Sequence, residues 1–130
     1  SKESIGFIKR EITILIVEDC ESNYVLLEFY LQSPKIKLLH AKDGLEAVQI
    51  CRDNPLIDIV LMDIQLPNIN GYEATSQIKQ FRANLPIIAQ TANAMEDDRN
   101  KALNAGCDDY ISKPIEEGLL IRTINKWLKI

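Results

Sequence analysis

Short apolar runs alternate with longer mixed segments along most of the chain. The runs are rich in β-branched residues and predict strands at residues 12–17, 36–40, 57–62, 85–90 and 107–112. Turn residues bound the segments between them, which predict helices at residues 22–32, 43–52, 72–81, 94–104 and 116–128. Strands that alternate with helices through short connections form right-handed βαβ units. The pattern therefore predicts an α/β fold whose parallel sheet is covered by helices on both faces.

The run at residues 57–62 (IDIVLM) is apolar at every position but one, which is typical of a strand buried on both faces. Pro67 and Gly71 then break the pattern, so this strand ends near Asp63 and a loop follows it. Residues 1–11 are polar with scattered apolar positions, and we expect a linker or a remnant outside the domain there. Residues 12–130 form the one predicted domain.

Apolar residues at helical spacing indicate which helix faces are buried. In the third and last helices, the residues expected to face the core are Ile78, Phe81, Leu119, Leu120, Ile124 and Trp127. We expect Ser22 or Asn23 to cap the first helix. That helix carries more apolar residues than one sheet-facing stripe needs. The excess is either core or a docking surface.

The composition is that of a globular protein and argues against contact with nucleic acid or with a membrane. The 130 residues are 46% hydrophobic and 26% charged, as in an ordinary globular protein. The net charge is −4 and there is no basic run, so we expect no direct contact with nucleic acid. No apolar stretch approaches the roughly 20 residues of a membrane span, so we expect no membrane contact by this segment. Cys20, Cys51 and Cys107 lack metal or redox spacing, and we expect reduced, mostly buried thiols in a cytoplasmic setting.

Polar side chains follow four of the predicted strands. Glu18 and Asp19 follow the first strand, Asp63 the third, Thr91 the fourth and Lys113 the fifth. Because the carboxyl ends of parallel strands share one edge of the sheet, we expect these groups to lie together. Carboxylates 4 Å apart repel by about 4 kcal/mol in a surface-like dielectric, so the group must raise a pKa or hold a cation. Oxygen ligands select a hard ion such as Mg²⁺, while Lys113 and Thr91 suit an incoming anion such as a phosphoryl group.

Each of these residues also has a plainer explanation. Glu18 and Asp19 could simply cap the following helix, where negative charge is favourable. Thr91 could be an ordinary turn residue, Lys113 a solvated surface lysine, and Asp63 alone the start of a turn. None of these explanations accounts for their joint placement at successive strand ends, which favours a phosphoryl site.

Several motifs of the chain resemble the receiver domain of two-component response regulators, most closely the receivers attached to hybrid sensor histidine kinases. The matching segments are VEDCESN (17–23), AKDGLEA (41–47), LMDIQLPNINGYEAT (61–75), PIIAQTANA (86–94) and AGCDDYISKP (105–114). The resemblance covers essentially all of residues 12–128. It implies a flavodoxin-like (βα)5 three-layer sandwich whose five-stranded sheet has the order 2-1-3-4-5.

The resemblance implies a role for each matching residue. Asp63 would be the phosphoacceptor, whose carboxylate attacks a phosphohistidine on a partner and becomes an acyl phosphate. For Mg²⁺, Asp19 would be a direct ligand together with Asp63, and Glu18 would act mainly through water. The backbone carbonyl of Gln65 would complete the protein's share of the ligands.

The remaining residues would bind the phosphoryl group and respond to it. Thr91 and the N–H of Ala92 would bind phosphoryl oxygens, and Lys113 would pair with the phosphate. Phosphorylation would draw Thr91 towards the phosphate and turn Tyr110 inward, which changes the face formed by the fourth strand, fourth helix and fifth strand. The Lys113–Pro114 bond is expected to be cis.

The implied partners are a histidine kinase core and a histidine phosphotransfer domain, with the domain either cytoplasmic or in the cytoplasmic portion of a membrane sensor kinase. Slow self-dephosphorylation would be tuned at Gln65 and Ala92. The chain departs from the family pattern at three positions. Cys20 stands where such relatives usually carry Asn, Asn70 where Asp is common, and Gln90 where an apolar residue is frequent.

Three other functions compete with this one. An acyl-phosphate hydrolase would use Asp63 as its nucleophile, but it usually needs a second acid where Gln65 stands. A flavodoxin-like cofactor binder would need a Gly-rich loop where Glu18 and Asp19 would instead repel a phosphate. A pseudo-receiver used only for protein contacts would not need the intact set of Asp63, Thr91 and Lys113.

Overall fold

All predicted strands and helices are present in the computed structural model, which describes residues 10–92 and 96–130. In chain order they are β1 (Ile12–Val17), α1 (Glu21–Tyr30), β2 (Ile36–Ala41), α2 (Gly44–Asp53), β3 (Ile57–Asp63), α3 (Gly71–Phe81), β4 (Ile87–Thr91), α4 (Glu96–Ala105), β5 (Asp109–Ser112) and α5 (Glu117–Leu128). The strands form one parallel sheet of order β2-β1-β3-β4-β5. The predicted fold class and strand order are therefore confirmed. The predicted start of the fourth helix, at residue 94, lies outside the described residues.

The sheet separates two apolar layers because successive side chains of a strand point to opposite faces. In β1, Ile12, Ile14 and Ile16 pack with residues of α1 and α5. Leu15 and Val17 face the other way and pack with residues of α2, α3 and α4. Burial on both faces explains why the strands read as continuous apolar runs in the sequence.

Two of the loops beside the site are held by helix caps. The side chain of Asp43 accepts a hydrogen bond of 2.8 Å at the start of α2, and Asn70 accepts one of 2.9 Å at the start of α3. The amide of Asn68 also donates to Asp43 over 3.0 Å, which ties the loop after β3 to the start of α2. For α1, the predicted cap at Ser22 or Asn23 is wrong, since the N-cap is Cys20 and its side chain makes no capping bond.

Gly71 is needed where α3 begins, because the chain there passes directly over the end of β3. A Cβ atom on Gly71 would lie 2.3 Å from the backbone oxygen of Asp63. The Gly71 N–H also donates to the carbonyl of Ile64 over 2.9 Å. The close approach holds the loop after β3 in a fixed position beside the sheet edge.

Some predicted details of packing are wrong. Leu119 is 40% exposed and Phe81 is 37% exposed, whereas α5 buries Leu120, Ile121 and Ile124. The side chain of Phe81 lies under the guanidinium of Arg52, 4.7 Å from the ring centroid. Both residues have the helical spacing of the buried face, but they lie at its edges. The apolar face of each helix is wider than its contact with the sheet, so the side chains at the edges are partly exposed to water.

Two strands start later than predicted. β4 begins at Ile87 because Pro86 has no N–H to donate to the ladder, although its carbonyl accepts from Val60. β5 begins at Asp109 because the N–H of Cys107 closes the end of α4 by donating to Ala102. Of the cysteines, Cys51 and Cys107 are buried as expected, but Cys20 is exposed.

Candidate phosphoacceptor site

The carboxyl edge of the sheet gathers the polar residues that the sequence places at strand ends. Glu18 and Asp19 follow β1, Asp63 ends β3, Thr91 ends β4, and Lys113 follows β5. Side-chain oxygens of Glu18, Asp19 and Asp63 all lie within 4.8 Å of one another. The predicted cluster of carboxylates is therefore present.

Asp63 is nearly buried, with 4% of its surface exposed. One carboxylate oxygen, Oδ1, accepts a hydrogen bond of 3.1 Å from the backbone N–H of Gln65. The other, Oδ2, lies 3.3 Å from Nζ of Lys113. The backbone N–H of Lys113 donates to the carbonyl of Thr91 over 2.7 Å, so the lysine is anchored to the end of β4. The Lys113–Pro114 bond is cis, as expected.

Glu18 is the buried half of the acidic pair after β1. Its Oε2 accepts a bond of 3.3 Å from the N–H of Cys20, while Oε1 lies 3.4 Å from Nζ of Lys113. Burial, and after it the charge of Asp63, raises the pKa of Glu18 to about 7, and the positive charge of Lys113 offsets only part of this. The ionisation of Glu18 beside Asp63 is therefore unfavourable, and Lys113 compensates for it only in part.

The donor set fits a hard divalent cation. Three carboxylates supply oxygen ligands, and Asp19 is exposed, so water can reach the open side of the group. Within the described ranges, Oε1 of Glu18 is buried and accepts no hydrogen bond. Mg²⁺ is commonly held by one or two carboxylates and several waters, and it would add to the partial neutralisation that Lys113 gives these carboxylates.

Gln65, Thr91 and Ala92 line a groove of about 530 Å³ beside the acceptor, together with Tyr72 and Lys101. Thr91 is buried, while Gln65 and Ala92 are exposed. Ile64, the residue after Asp63, also lines the groove, which therefore opens beside the end of β3. Of the predicted phosphoryl-binding residues, Thr91 and Ala92 line this groove, whereas Lys113 lies outside its lining and contacts Asp63 directly.

Tyr110 lies in β5, next to α4. It is half-buried, and the guanidinium of Arg99 on α4 lies 5.4 Å from its ring centroid. This contact places the ring of Tyr110 against the fourth helix. Its role as a switch stays a prediction.

His40 belongs to the site but was not predicted from the sequence. Its Nε2 donates a hydrogen bond of 2.8 Å to the backbone carbonyl of Glu18. The ring of Tyr24 on α1 stacks on it, with centroids 3.7 Å apart and planes at 9°. The only signal in the sequence is that His40 stands near the end of a strand that adjoins β1.

Comparison with known proteins places this geometry in a family. Residues 14–125 match the family model described as the response regulator receiver domain. The chain belongs to this receiver family. A hybrid signal transduction histidine kinase I from Dictyostelium discoideum is 40% identical over 120 residues, which cover 86% of this chain. The matched region is 7% of that kinase, so the receiver spans a small part of its length.

Two solved receivers have the same fold. The receiver of sensor histidine kinase PA1611 from Pseudomonas aeruginosa PAO1 was solved with a magnesium ion coordinated in its active site cleft. It is 36% identical with a TM-score of 0.84, covering 92% of this chain and 99% of that one. The receiver of Saccharomyces cerevisiae Ssk1 was solved with the histidine phosphotransfer protein Ypd1. It is 34% identical with a TM-score of 0.85, covering 93% of this chain and 91% of that one.

Within the described part of this receiver, no helix has the length and apolar character required to cross a bilayer.

Proposed function

We propose that this receiver is the phosphoacceptor of a two-component phosphorelay, with Asp63 as the residue that is phosphorylated. The observation that carries the proposal is the placement of Asp63. Its Oδ2 lies 3.3 Å from Nζ of Lys113, it is grouped with Glu18 and Asp19, and the two residues after it, Ile64 and Gln65, line an open groove. An acid that merely started a turn would not need a lysine and two further carboxylates around it.

The reaction is a transfer of one phosphoryl group. A carboxylate oxygen of Asp63 forms a bond to phosphorus as the bond from phosphorus to the donor's imidazole nitrogen breaks. The electron pair of that bond returns to the imidazole, which then takes a proton from solvent. Lys113 neutralises charge on the phosphoryl oxygens, and Thr91 and the N–H of Ala92 bind them.

Mg²⁺ would be held by Asp19, Asp63 and the backbone carbonyl of Gln65, with Glu18 acting mainly through water. Bound there, the cation supplies charge neutralisation for the phosphoryl group. The fit of the three carboxylates and the magnesium in the PA1611 receiver support this assignment.

The phosphorylated state adds about −1.5 to −2 charge and three acceptor oxygens at the end of β3. Thr91 would move towards them, and the contact of Tyr110 with α4 would rearrange as the loop after β4 shifts. The output is therefore a changed surface on β4, α4 and β5.

The donor would be a histidine phosphotransfer domain or a histidine kinase core, which places this receiver in the cytoplasm or in the cytoplasmic part of a hybrid kinase. The surface of α1 supports a protein donor, because Val25, Leu26 and Phe29 are 50%, 39% and 60% exposed. Apolar side chains grouped on one exposed helix face are typical of an interaction site. The Ssk1 receiver, which was solved with such a phosphotransfer protein, supports the same donor class.

A phosphohydrolase is a weaker candidate. At the position two residues after Asp63, such an enzyme usually has a second acid, but here Gln65 is exposed in the groove and carries no acid. The acyl phosphate would therefore persist as a signal and decay slowly.

The test is labelling with acetyl phosphate and Mg²⁺, followed by intact mass and peptide mapping. The wild-type protein is expected to gain one phosphoryl group on the peptide that contains Asp63, and Asp63→Asn should gain none. Asp53→Asn, a change of an exposed aspartate on α2, serves as the matched control and should label normally. Equal labelling of the wild type and Asp63→Asn would refute the assignment.

A further inference from the structure

Gln90 is a buried polar residue that the phosphoacceptor site does not use. It stands in β4 immediately before Thr91 and is 2% exposed. Among the described residues, neither its amide oxygen nor its amide nitrogen has a hydrogen-bond partner. Buried side-chain amides are nearly always hydrogen-bonded, and leaving both ends unpaired costs stability. The amide therefore needs a hydrogen-bond partner that the described residues do not supply.

The amide borders a cavity of about 60 Å³ between α1 and the segment that follows β5. Ile88, two residues earlier in β4, belongs to the apolar layer under α1 and α5, so Gln90 faces the same side of the sheet. The cavity walls are formed by Asn23, Leu26, Leu27, Gln90, Lys113, Pro114 and Ile115. Most of these residues are apolar, and the amide of Gln90 lies beside them in the wall.

The size and lining limit what can occupy this cavity. A bound water needs about 10–15 Å³ of such space, so the cavity holds a few waters or the end of one side chain. The amide of Gln90 offers one acceptor and two N–H donors, which a hydroxyl or another amide can match. The charge of Lys113, the one ionisable residue among the lining, is already paired with Asp63 and Glu18, and the walls of Leu26, Leu27 and Ile115 disfavour a further buried charge.

The position of the cavity indicates which molecule supplies that group. Leu26 lines the cavity and also belongs to the exposed apolar face of α1 with Val25 and Phe29. Lys113, on the other side, is ion-paired with Asp63. A protein that covers α1 and delivers a phosphoryl group to Asp63 must pass over the cavity between them.

We propose that Gln90 forms a specificity pocket for the phosphodonor protein, which inserts one neutral hydrogen-bonding side chain, an amide or a hydroxyl, between α1 and the segment after β5. The proposal rests on the phosphoacceptor function. It adds a recognition residue that lies outside the phosphoryl-binding and metal-binding groups.

The test compares two donors on the same variants. Gln90→Met keeps nearly the same volume and removes the hydrogen bonds, Gln90→Asn keeps an amide but shortens it, and Gln80→Leu on the exposed face of α3 controls for added apolar surface. Histidine kinase cores and phosphotransfer domains of the source organism are screened, and the one that labels the wild type fastest is used as the protein donor. Acetyl phosphate is the small donor.

We expect Gln90→Met to lower kcat/KM for the protein donor about tenfold, as the loss of one buried hydrogen bond implies. Labelling by acetyl phosphate should be unchanged. The urea midpoint of the isolated variant should be equal to or higher than that of the wild type, because an unpaired amide has been removed. With the protein donor, kcat/KM should fall less for Gln90→Asn than for Gln90→Met, and Gln80→Leu should have the kcat/KM of the wild type.

Three outcomes would overturn the proposal. One is an unchanged kcat/KM of Gln90→Met with the protein donor. Another is a lower urea midpoint, which would mean that internal waters already satisfy the amide as part of the fold. The third is a failure of every protein donor while acetyl phosphate still labels Asp63. Failure of acetyl phosphate to label the wild type would instead refute the phosphoacceptor function itself.

Discussion

Replacing Glu18 by Gln in the metal-free protein should make the fold more stable above neutral pH. The side chain of Glu18 is fully buried beside Asp63, with Lys113 as a partial counter-charge. Gln keeps the shape and an oxygen that can accept from the N–H of Cys20, and it removes the negative charge. The comparison therefore isolates what it costs the fold to ionise Glu18.

The magnitude follows from the pKa of Glu18, which burial and Asp63 raise from 4.5 to about 7. One pKa unit corresponds to about 1.36 kcal/mol, so the full cost of ionising Glu18 is about 3 kcal/mol. Below the unfolded pKa, Glu18 is protonated in both states and the cost is absent. Between the two values the unfolded chain releases the proton first, so the stability of the wild type falls as pH rises, until the folded state ionises too. Above about pH 7 the whole cost is present, and Gln, which carries no charge, should remove about 2 to 3 kcal/mol of it.

The assay is urea unfolding in a chelator from about pH 5 to about pH 8, followed by the fluorescence of Trp127, the single tryptophan. The quantity of interest is the difference in unfolding free energy between Glu18→Gln and wild type, which should grow with pH. Glu28→Gln, a change of an exposed glutamate on α1, is the control and should show a flat difference. A flat or negative difference for Glu18→Gln at about pH 8 would refute the reasoning.

Mg²⁺ should narrow the difference in unfolding free energy between the two proteins at that pH. A ligand present at about a hundredfold excess over its Kd stabilises the folded state by about 2.7 kcal/mol. The wild type should gain more from Mg²⁺ than Glu18→Gln, because the variant offers one charge fewer near the ion. Equal gains would argue that Glu18 does not contribute to metal binding.

The remaining predictions concern His40 and the cysteines. His40→Ala should weaken Mg²⁺ binding by about three- to tenfold in titration calorimetry, since it removes the 2.8 Å bond that holds the Glu18 carbonyl, and an unchanged Kd would contradict this. In the folded protein, iodoacetamide should modify Cys20 first, because it is exposed and the hydroxyl of Ser22 lowers its pKa. Burial raises the pKa of Cys51 and Cys107 to about 11, so peptide mapping should show that both react more slowly than Cys20. If all three cysteines were modified at the same rate, the fold would have to open readily.

The fold and the grouping of polar residues at one sheet edge could be predicted because both depend on simple periodic features. A strand buried on two faces must be apolar throughout, as β3 is, and a residue placed directly after such a strand must lie at the sheet edge. Asp63, Thr91 and Lys113 were found in this way. The same reasoning could not distinguish Glu18 from Asp19, which are adjacent carboxylates. Only the path of the chain after β1 shows that the first is buried and the second exposed.

Packing details were less predictable, because they depend on which neighbour covers each side chain. Leu119 and Leu120 are identical residues, yet one is 40% exposed and the other is buried under the sheet. The contact of His40 with Glu18 joins residues 22 positions apart on neighbouring strands, and it depends on the β1–β2 register. A pattern of apolar and polar positions contains no information on either point.

The buried polar side chains differ in whether the fold itself supplies their hydrogen-bond partners. Thr75 and Thr123 are buried but satisfied within the fold, by Cys107 at 3.6 Å and by the carbonyl of Leu119 at 2.8 Å. Gln90 is buried with no hydrogen-bond partner for its amide among the described residues, and buried Glu18 has one oxygen that accepts no hydrogen bond and faces only the ammonium of Lys113, 3.4 Å away. Buried polar residues that the fold compensates only in part are expected where a protein meets its ligands. A cation at Glu18 and a donor side chain at Gln90 would each add the interaction that the fold itself does not supply.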